Sequence, residues 1–191
     1  MSIRTVFTSV LACTLLSVTS GALASETTAG SQQSYESCSM ITSEYVTVLQ
    51  LLSRGFDGES LSEALPDISP QAGQRVRTLT RLVEEQGLVD TYSQINSEYA
   101  RCARTVYQRQ GKPQASSREG HFHFCAGENK VRYEVLMSAV VGADRREVLP
   151  QLASQHQAVA NAIYDLYHQE GALTVFDLLA SELKACLNRQ R

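Results

Sequence analysis

The stretch "TYSQINSEYARC" at residues 91–102 falls, 84 residues later, on "VFDLLASELKAC" at residues 175–186. Tyr92, Ile95, Tyr99 and Cys102 are spaced 3, 4, 3, and so are Phe176, Leu179, Leu183 and Cys186. That spacing marks one face of an α-helix, with a cysteine on its buried stripe. The match runs without a gap from Gly58–Cys102 to Gly142–Cys186, and "GESLSEALP" (58–66) lies on "GADRREVLP" (142–150). Gln71 meets Gln155, Gly87 meets Gly171, and Ser97-Glu98 meet Ser181-Glu182. The identities are few, and the shared apolar pattern decides for a repeat. The upstream cysteines, Cys38 and Cys125, correspond if copy one carries three extra residues near "SRG" (53–55).

Helix punctuation recurs at the same offsets. Ser60-x-x-Glu63 and Asp144-x-x-Glu147 have the form of a capping box or its acidic variant, opening a short helix that reaches "LP". Ser69-Pro70 and Ser154 stand where the next helix needs an N-cap, and Gly87 and Gly171 where a left-handed residue would end it. Between them Val76, Leu79, Leu82 and Val83 mark a core stripe, matched by Ala160, Ile163, Leu166 and Tyr167. Strand signals are poor. The fold expected is all-α: two tandem four-helix, disulfide-stapled units, packed as a pseudo-twofold pair.

The N-terminus reads differently. One positive charge in "MSIR" precedes an uncharged, mostly apolar run, and "ALA" (22–24) supplies a small-x-small cleavage site, together a secretory signal peptide. A lipoprotein cysteine at Cys13 is the subsidiary reading, with a rather short apolar run before it. The organisation expected is a signal peptide at 1–24, a flexible leader at 25–37, helical repeat 1 at 38–106, a linker at 107–120 and helical repeat 2 at 121–191. The linker rests on the polar, Gly- and Pro-containing "YQRQGKPQASSREG" (107–120). The formal charge of −3 becomes one unit more negative once Arg4 leaves with the signal, and no basic stripe tracks phosphates. Nucleic acid is therefore not an expected partner. No later segment approaches the ~20 apolar residues of a membrane span.

Without Cys13, four cysteines remain: Cys38, Cys102, Cys125 and Cys186. An even count in an exported chain argues for disulfides, and counting alone leaves three connectivities. The repeat places one cysteine at the start of each copy's first helix and one near the end of its last. Antiparallel helices bring those ends together, which predicts Cys38–Cys102 and Cys125–Cys186. A loop of about 60 residues gives each bond roughly 4 kcal/mol in the chain-entropy treatment, a useful amount for a small helical unit.

The copy-two pattern "CAGENKVRYEVLMSAVVGADRREVLPQL…IYDLY…LLASELKAC" resembles small secreted bacterial and phage all-helical modules with two cysteines and no assigned function. Cys125, Met137, Gly142, Tyr164 and Cys186 fall on that pattern. Many such modules have Arg before the glycine; copy one has Arg54-Gly55, and copy two has "AVVG" (139–142) instead. The resemblance implies a fold and a compartment, with no activity attached.

Three chemistries are open to these residues. "HFHFC" (121–125) offers His121, His123 and Cys125 as metal ligands, which share a face only on extended backbone. In a helix, positions i and i+2 point about 200° apart, zinc wants four ligands, and a disulfide claims Cys125. Metal binding by His121 and His123 is the alternative reading. For catalysis, no nucleophile elbow or phosphate-cradling loop occurs. His156 and His168 stand at opposite ends of one expected helix, and Glu84-Glu85 sit at a polar helix end. Glu98 and Glu182 recur in both copies and are read as ion-pair residues with Arg101 and Lys184. No catalytic residue, cofactor or enzymatic role is expected. Protein recognition remains: grooves between stapled helices suit a partner segment, while Tyr92, Tyr99, Tyr164 and Tyr167 read as packing residues. The expected function is an exported, non-enzymatic interaction module of the inhibitor, immunity or envelope accessory type.

Overall fold

The computed structural model describes residues 33–189, without residues 65–68 and without the side chains of 62–64. The expected signal peptide, Cys13 and leader residues 25–32 lie outside the described residues. Within them every regular element is a helix: α1 (Tyr35–Ser53), α2 (Gly58–Ala64), α3 (Pro70–Gln86), α4 (Leu88–Gln110), α5 (Arg118–Val140), α6 (Arg145–Val148) and α7 (Ser154–Asn188), with a 3₁₀ turn at Leu149–Gln151. None is long and apolar enough to cross a membrane.

Local chemistry sets the boundaries. Ser34 caps α1 through a reciprocal pair: its hydroxyl accepts from Ser37 N at 3.0 Å, and Ser37 Oγ accepts from Ser34 N at 2.9 Å. The helix thus begins three residues before Cys38, inside what composition marks as leader. Gly55, at φ +91°, turns the chain out of α1, and Gly142, at φ +77°, does the same after α5. Asp57, and not the expected Ser60, opens α2 by accepting from Ser60 N at 2.7 Å. Asp144 opens α6 in the same way, accepting from Arg146 N at 2.8 Å. Glycines and aspartates therefore correspond at an offset of 87 residues up to Asp57, and the N-cap positions Ser69 and Ala153 at 84; Ala153, not the expected Ser154, precedes α7 and gives no side-chain cap. The three additional residues of copy one lie between Asp57 and Ser69, not near "SRG". The sequence match of Gly58 with Gly142 is displaced accordingly.

Gly87 separates α3 from α4 as a single residue at φ +85°, ψ 166°. Gly171 has φ +81°, ψ 176° and bends α7 at the corresponding point. Both occupy the mirror-extended region open essentially to glycine alone, rather than the left-handed helical well that a standard C-cap uses. In sequence register the 154–170 and 172–188 halves of α7 align with α3 and with residues 88–104 of α4.

The two copies do not hold separate cores. The larger apolar cluster joins Val46, Leu49, Tyr92 and Ile95 to Val135, Leu136, Tyr164 and Phe176; the smaller joins Tyr35, Cys38, Tyr99 and Val106 to Phe122, Cys125 and Leu183. Disulfides bond Cys38 to Cys102 and Cys125 to Cys186, with Cα separations of 5.9 and 5.8 Å. They tie α1 to α4 and α5 to α7, the connectivity expected of antiparallel first and last helices.

The stretch 107–120 is no free tether. Residues 107–110 complete α4, and 118–120 open α5 behind the N-cap Ser117. Between them Ser117 Oγ donates to Gln114 O at 2.7 Å, and Tyr35 Oη donates to Gly111 O at 3.1 Å. Gly120 is buried with its Cα against this turn; a β-carbon there would stand 2.0 Å from Gln114 O. The polar composition that reads as linker instead supplies the caps of a tight helix–helix connection.

Candidate functional site

Each disulfide lies at the base of a cleft between the first and last helices of its copy. The copy-one cleft, about 330 Å³, runs between α1 and α4 past Ile41, Thr42, Tyr45, Glu98, Arg101 and the Cys38–Cys102 bond. The copy-two cleft, about 90 Å³, runs between α5 and α7 past Glu128, Asn129, Arg132, Glu182, Arg189 and the Cys125–Cys186 bond. The linings correspond position by position: Ile41 with Glu128, Thr42 with Asn129, Tyr45 with Arg132, and Glu98 with Glu182. The glutamate is kept, while Ile41 and Tyr45 stand where the second copy has Glu128 and Arg132.

In copy two the cleft is the narrower one and is lined by a charged pair. Arg132 Nη1 donates to Glu128 Oε2 at 2.7 Å, one helical turn away, and both groups are largely shielded. His156 Nδ1 approaches the other oxygen of Glu128 at 3.8 Å. In copy one the corresponding side chains cannot pair. Ile41 is 44% exposed, and burial pushes the phenolic pKa of Tyr45 up. The nearest strong ion pair, Arg75 to Glu44 at 2.7 Å, binds α3 to α1 beside the cleft instead of filling it. That fork raises the pKa of the Arg75 guanidinium.

Beneath the clefts, buried polar groups fix the helices. Tyr99 Oη and Ser39 Oγ lie 2.7 Å apart, and Ser39 Oγ also reaches Tyr35 O. Burial pushes the Tyr99 pKa well up. Between copies, Asn129 Nδ2 donates to Asn96 Oδ1 at 2.9 Å, while Asn96 Nδ2 donates to Tyr92 O. Gln50 Nε2 donates to Asp177 O and to Ser181 Oγ, and Lys184 Nζ donates to Gln50 Oε1. Lys184 is therefore engaged by α1 and not by Glu182, and Glu98 accepts from Gln94 rather than from Arg101.

The "HFHFC" segment is helical throughout, in the first turns of α5, rather than a polar approach to a helix. Phe122 packs in the core, and Phe124 lies 45% exposed at the mouth of the copy-two cleft. His121 Nε2 sits 3.9 Å from Cys125 Sγ. His123 points elsewhere: its ring meets the Tyr35 ring edge-on at 4.8 Å and lies near Tyr107. Burial, with Lys112 nearby, holds the His123 pKa below the ordinary histidine value. The helix thus parts the two candidate ligands, and no group of three or more His, Cys, Asp or Glu among the described residues could hold a metal ion. His156 and His168 are likewise apart, the latter against the Tyr164 and Tyr167 rings.

Two side chains that the sequence does not single out join the copies beside this segment. Glu119, at the start of α5, accepts from Tyr35 N at 2.8 Å and Glu36 N at 3.2 Å, so copy two caps the first helix of copy one. Arg118 beside it forks onto the Glu36 carboxylate, which holds the Glu36 pKa below the usual carboxylate value. Their signal, a charged pair in the first helical turn, is too common to single out.

No family model matches this chain, and no curated protein or solved structure does.

Proposed function

We propose that the chain is an exported protein-interaction module, of the inhibitor, immunity or envelope accessory type and not an enzyme, and that the copy-one cleft is its binding face. One observation carries this reading. At positions that correspond in the repeat, the copy-two cleft of about 90 Å³ holds the Glu128–Arg132 pair, while the copy-one cleft of about 330 Å³ holds Ile41 and Tyr45 with no such pair. The wider cleft offers a partly exposed Ile41, a Tyr45 wall and Glu98 at the rim. It suits a partner segment that inserts an apolar side chain and sets a cationic group against Glu98, the general manner of groove recognition. The two disulfides accord with an oxidising, exported setting.

The architecture in this reading is a pseudo-twofold pair of four-helix units. Its support lies in equivalent positions that touch across the copies. Tyr92 stacks on Phe176, its own counterpart. Gln50 contacts Asp177 O, and the counterparts Met137 and Ser93 meet at 3.7 Å. Such a pair can diverge in one cleft while the other keeps the frame.

The test is affinity capture of the leader-free protein from its own envelope extract, alongside Ile41→Asp. A partner retained by the wild type and lost from the variant, with unchanged thermal unfolding, is expected. Equal capture by both, or none, would overturn the reading.

A further inference from the structure

The two disulfides occupy equivalent places, yet only one has an imidazole against it. His121 Nε2 lies 3.9 Å from Cys125 Sγ, one helical turn along α5. The other ring nitrogen, Nδ1, is buried with no hydrogen-bond partner. Sulfur is thus the ring's one hydrogen-bonding contact among the described residues. The position equivalent to His121 in copy one is Ser34, whose hydroxyl is spent on capping α1. Access is graded alike in both bonds, with Cys125 and Cys38 buried and Cys186 and Cys102 partly open to solvent, so the imidazole is what sets the two apart.

We propose that His121, Cys125 and Cys186 form a thiol-exchange site, and that Cys38–Cys102 is a purely structural staple. This goes beyond the interaction reading and does not depend on it. An external thiol, having lost its proton to solvent, attacks Cys186 Sγ, the open sulfur. A new sulfur–sulfur bond forms there, the Cys125–Cys186 bond breaks, and Cys125 leaves as a thiolate with the electron pair. The thiolate accepts a hydrogen bond from His121 Nε2–H, which lowers its basicity and makes it the better leaving group. A second thiol then attacks the reductant's sulfur in the mixed disulfide and releases Cys186. Two external thiols are oxidised to one disulfide, and one protein disulfide becomes a dithiol. The exchange is stoichiometric, one bond per molecule, and the substrate class is a small or protein-borne thiol of the export compartment.

The test reads both bonds in the same molecule. Full-length mature protein is treated with reduced glutathione, quenched by alkylation at timed intervals, and the four cysteines are quantified by mass spectrometry. Cys125–Cys186 is expected to open about fivefold faster than Cys38–Cys102. His121→Ala removes most of that difference, and His121→Gln, which keeps an N–H donor, retains part of it. Cys38–Cys102 serves as the internal control for folding. Equal opening rates in the wild type overturn the proposal, as does a rate ratio that survives His121→Ala.

Discussion

The Tyr92 ring stacks on that of Phe176, centroids 5.4 Å apart and planes within 8°, and the two residues stand at equivalent positions of the repeat. Both are buried where the last helices of the copies meet. Stacked aromatics of this kind contribute beyond their buried area. The Tyr92 hydroxyl, however, is buried with no hydrogen-bond partner, and burial pushes its pKa far up. Removing an unsatisfied polar atom relieves its desolvation penalty. Tyr92→Phe is therefore expected to stabilise by ~1 kcal/mol, raising the midpoint of thermal unfolding by about 2–4 °C. Tyr92→Ala is expected to cost about 3–5 kcal/mol. Calorimetry on both variants decides the matter, and a Phe variant less stable than wild type would reveal a use for the hydroxyl.

Glu119 reaches across the copies to the backbone of Tyr35 and Glu36. Its loss strips the N-terminus of α1 of two acceptors, so Glu119→Ala should cost about 1 kcal/mol in denaturant unfolding. Exchange of the α1 amide hydrogens should quicken at the first turn and not at the last.

Glu36 brings a pH dependence through Arg118. Its folded pKa is lowered from the ordinary value of 4.5, chiefly by the Arg118 hydrogen bond. A depressed carboxylate contributes stability that is fully present above the unfolded pKa and lost as pH falls through the folded one. Unfolding midpoints of the wild type should thus decline below about pH 4.5 more steeply than those of Glu36→Gln. Parallel curves would show that this solvent-exposed pair contributes nothing measurable.

Two glycine-to-alanine changes should act in opposite senses. Gly171 has positive φ and open space where a β-carbon would go, so alanine there suffers from backbone strain alone, about 1–3 kcal/mol. Gly127 lies mid-helix in α5 with nothing within 4 Å of the added carbon, and alanine should stabilise it by about 1 kcal/mol. Gly120→Ala tests the ordered connection: the added carbon cannot coexist with Gln114 O, and a cost above about 2 kcal/mol is expected. A neutral Gly120→Ala would mean that the turn moves freely away from α5.

How much of this was legible depends on range. Helical periods, the stripes holding Tyr92, Ile95 and Tyr99, and the positive-φ glycines at 87 and 171 are local matters, since side-chain spacing and backbone sterics act within a few residues. The pairing of Cys38 with Cys102 and Cys125 with Cys186 was legible too, because a repeat turns a long-range question into a local one. The α1 capping box, Ser34 with Ser37, was equally local but was hidden by polar composition that also suits a leader. Asp57 was missed because a gap-free alignment placed copy one three residues out of step at its short helix.

The sequence by itself determined that this chain is helical, where its helices bend and which cysteines answer each other, because those properties follow from period, sterics and repetition. Only the tertiary structure decided that both apolar clusters draw on both copies, that residues 111–117 make a hydrogen-bonded turn, and that Glu119 caps a helix 84 residues before it. It also parted His121 from His123 and set the first beside sulfur. These outcomes depend on which helix faces meet. A packing interface between distant segments is chosen by the shape and desolvation of all its side chains together, and no single stretch carries it.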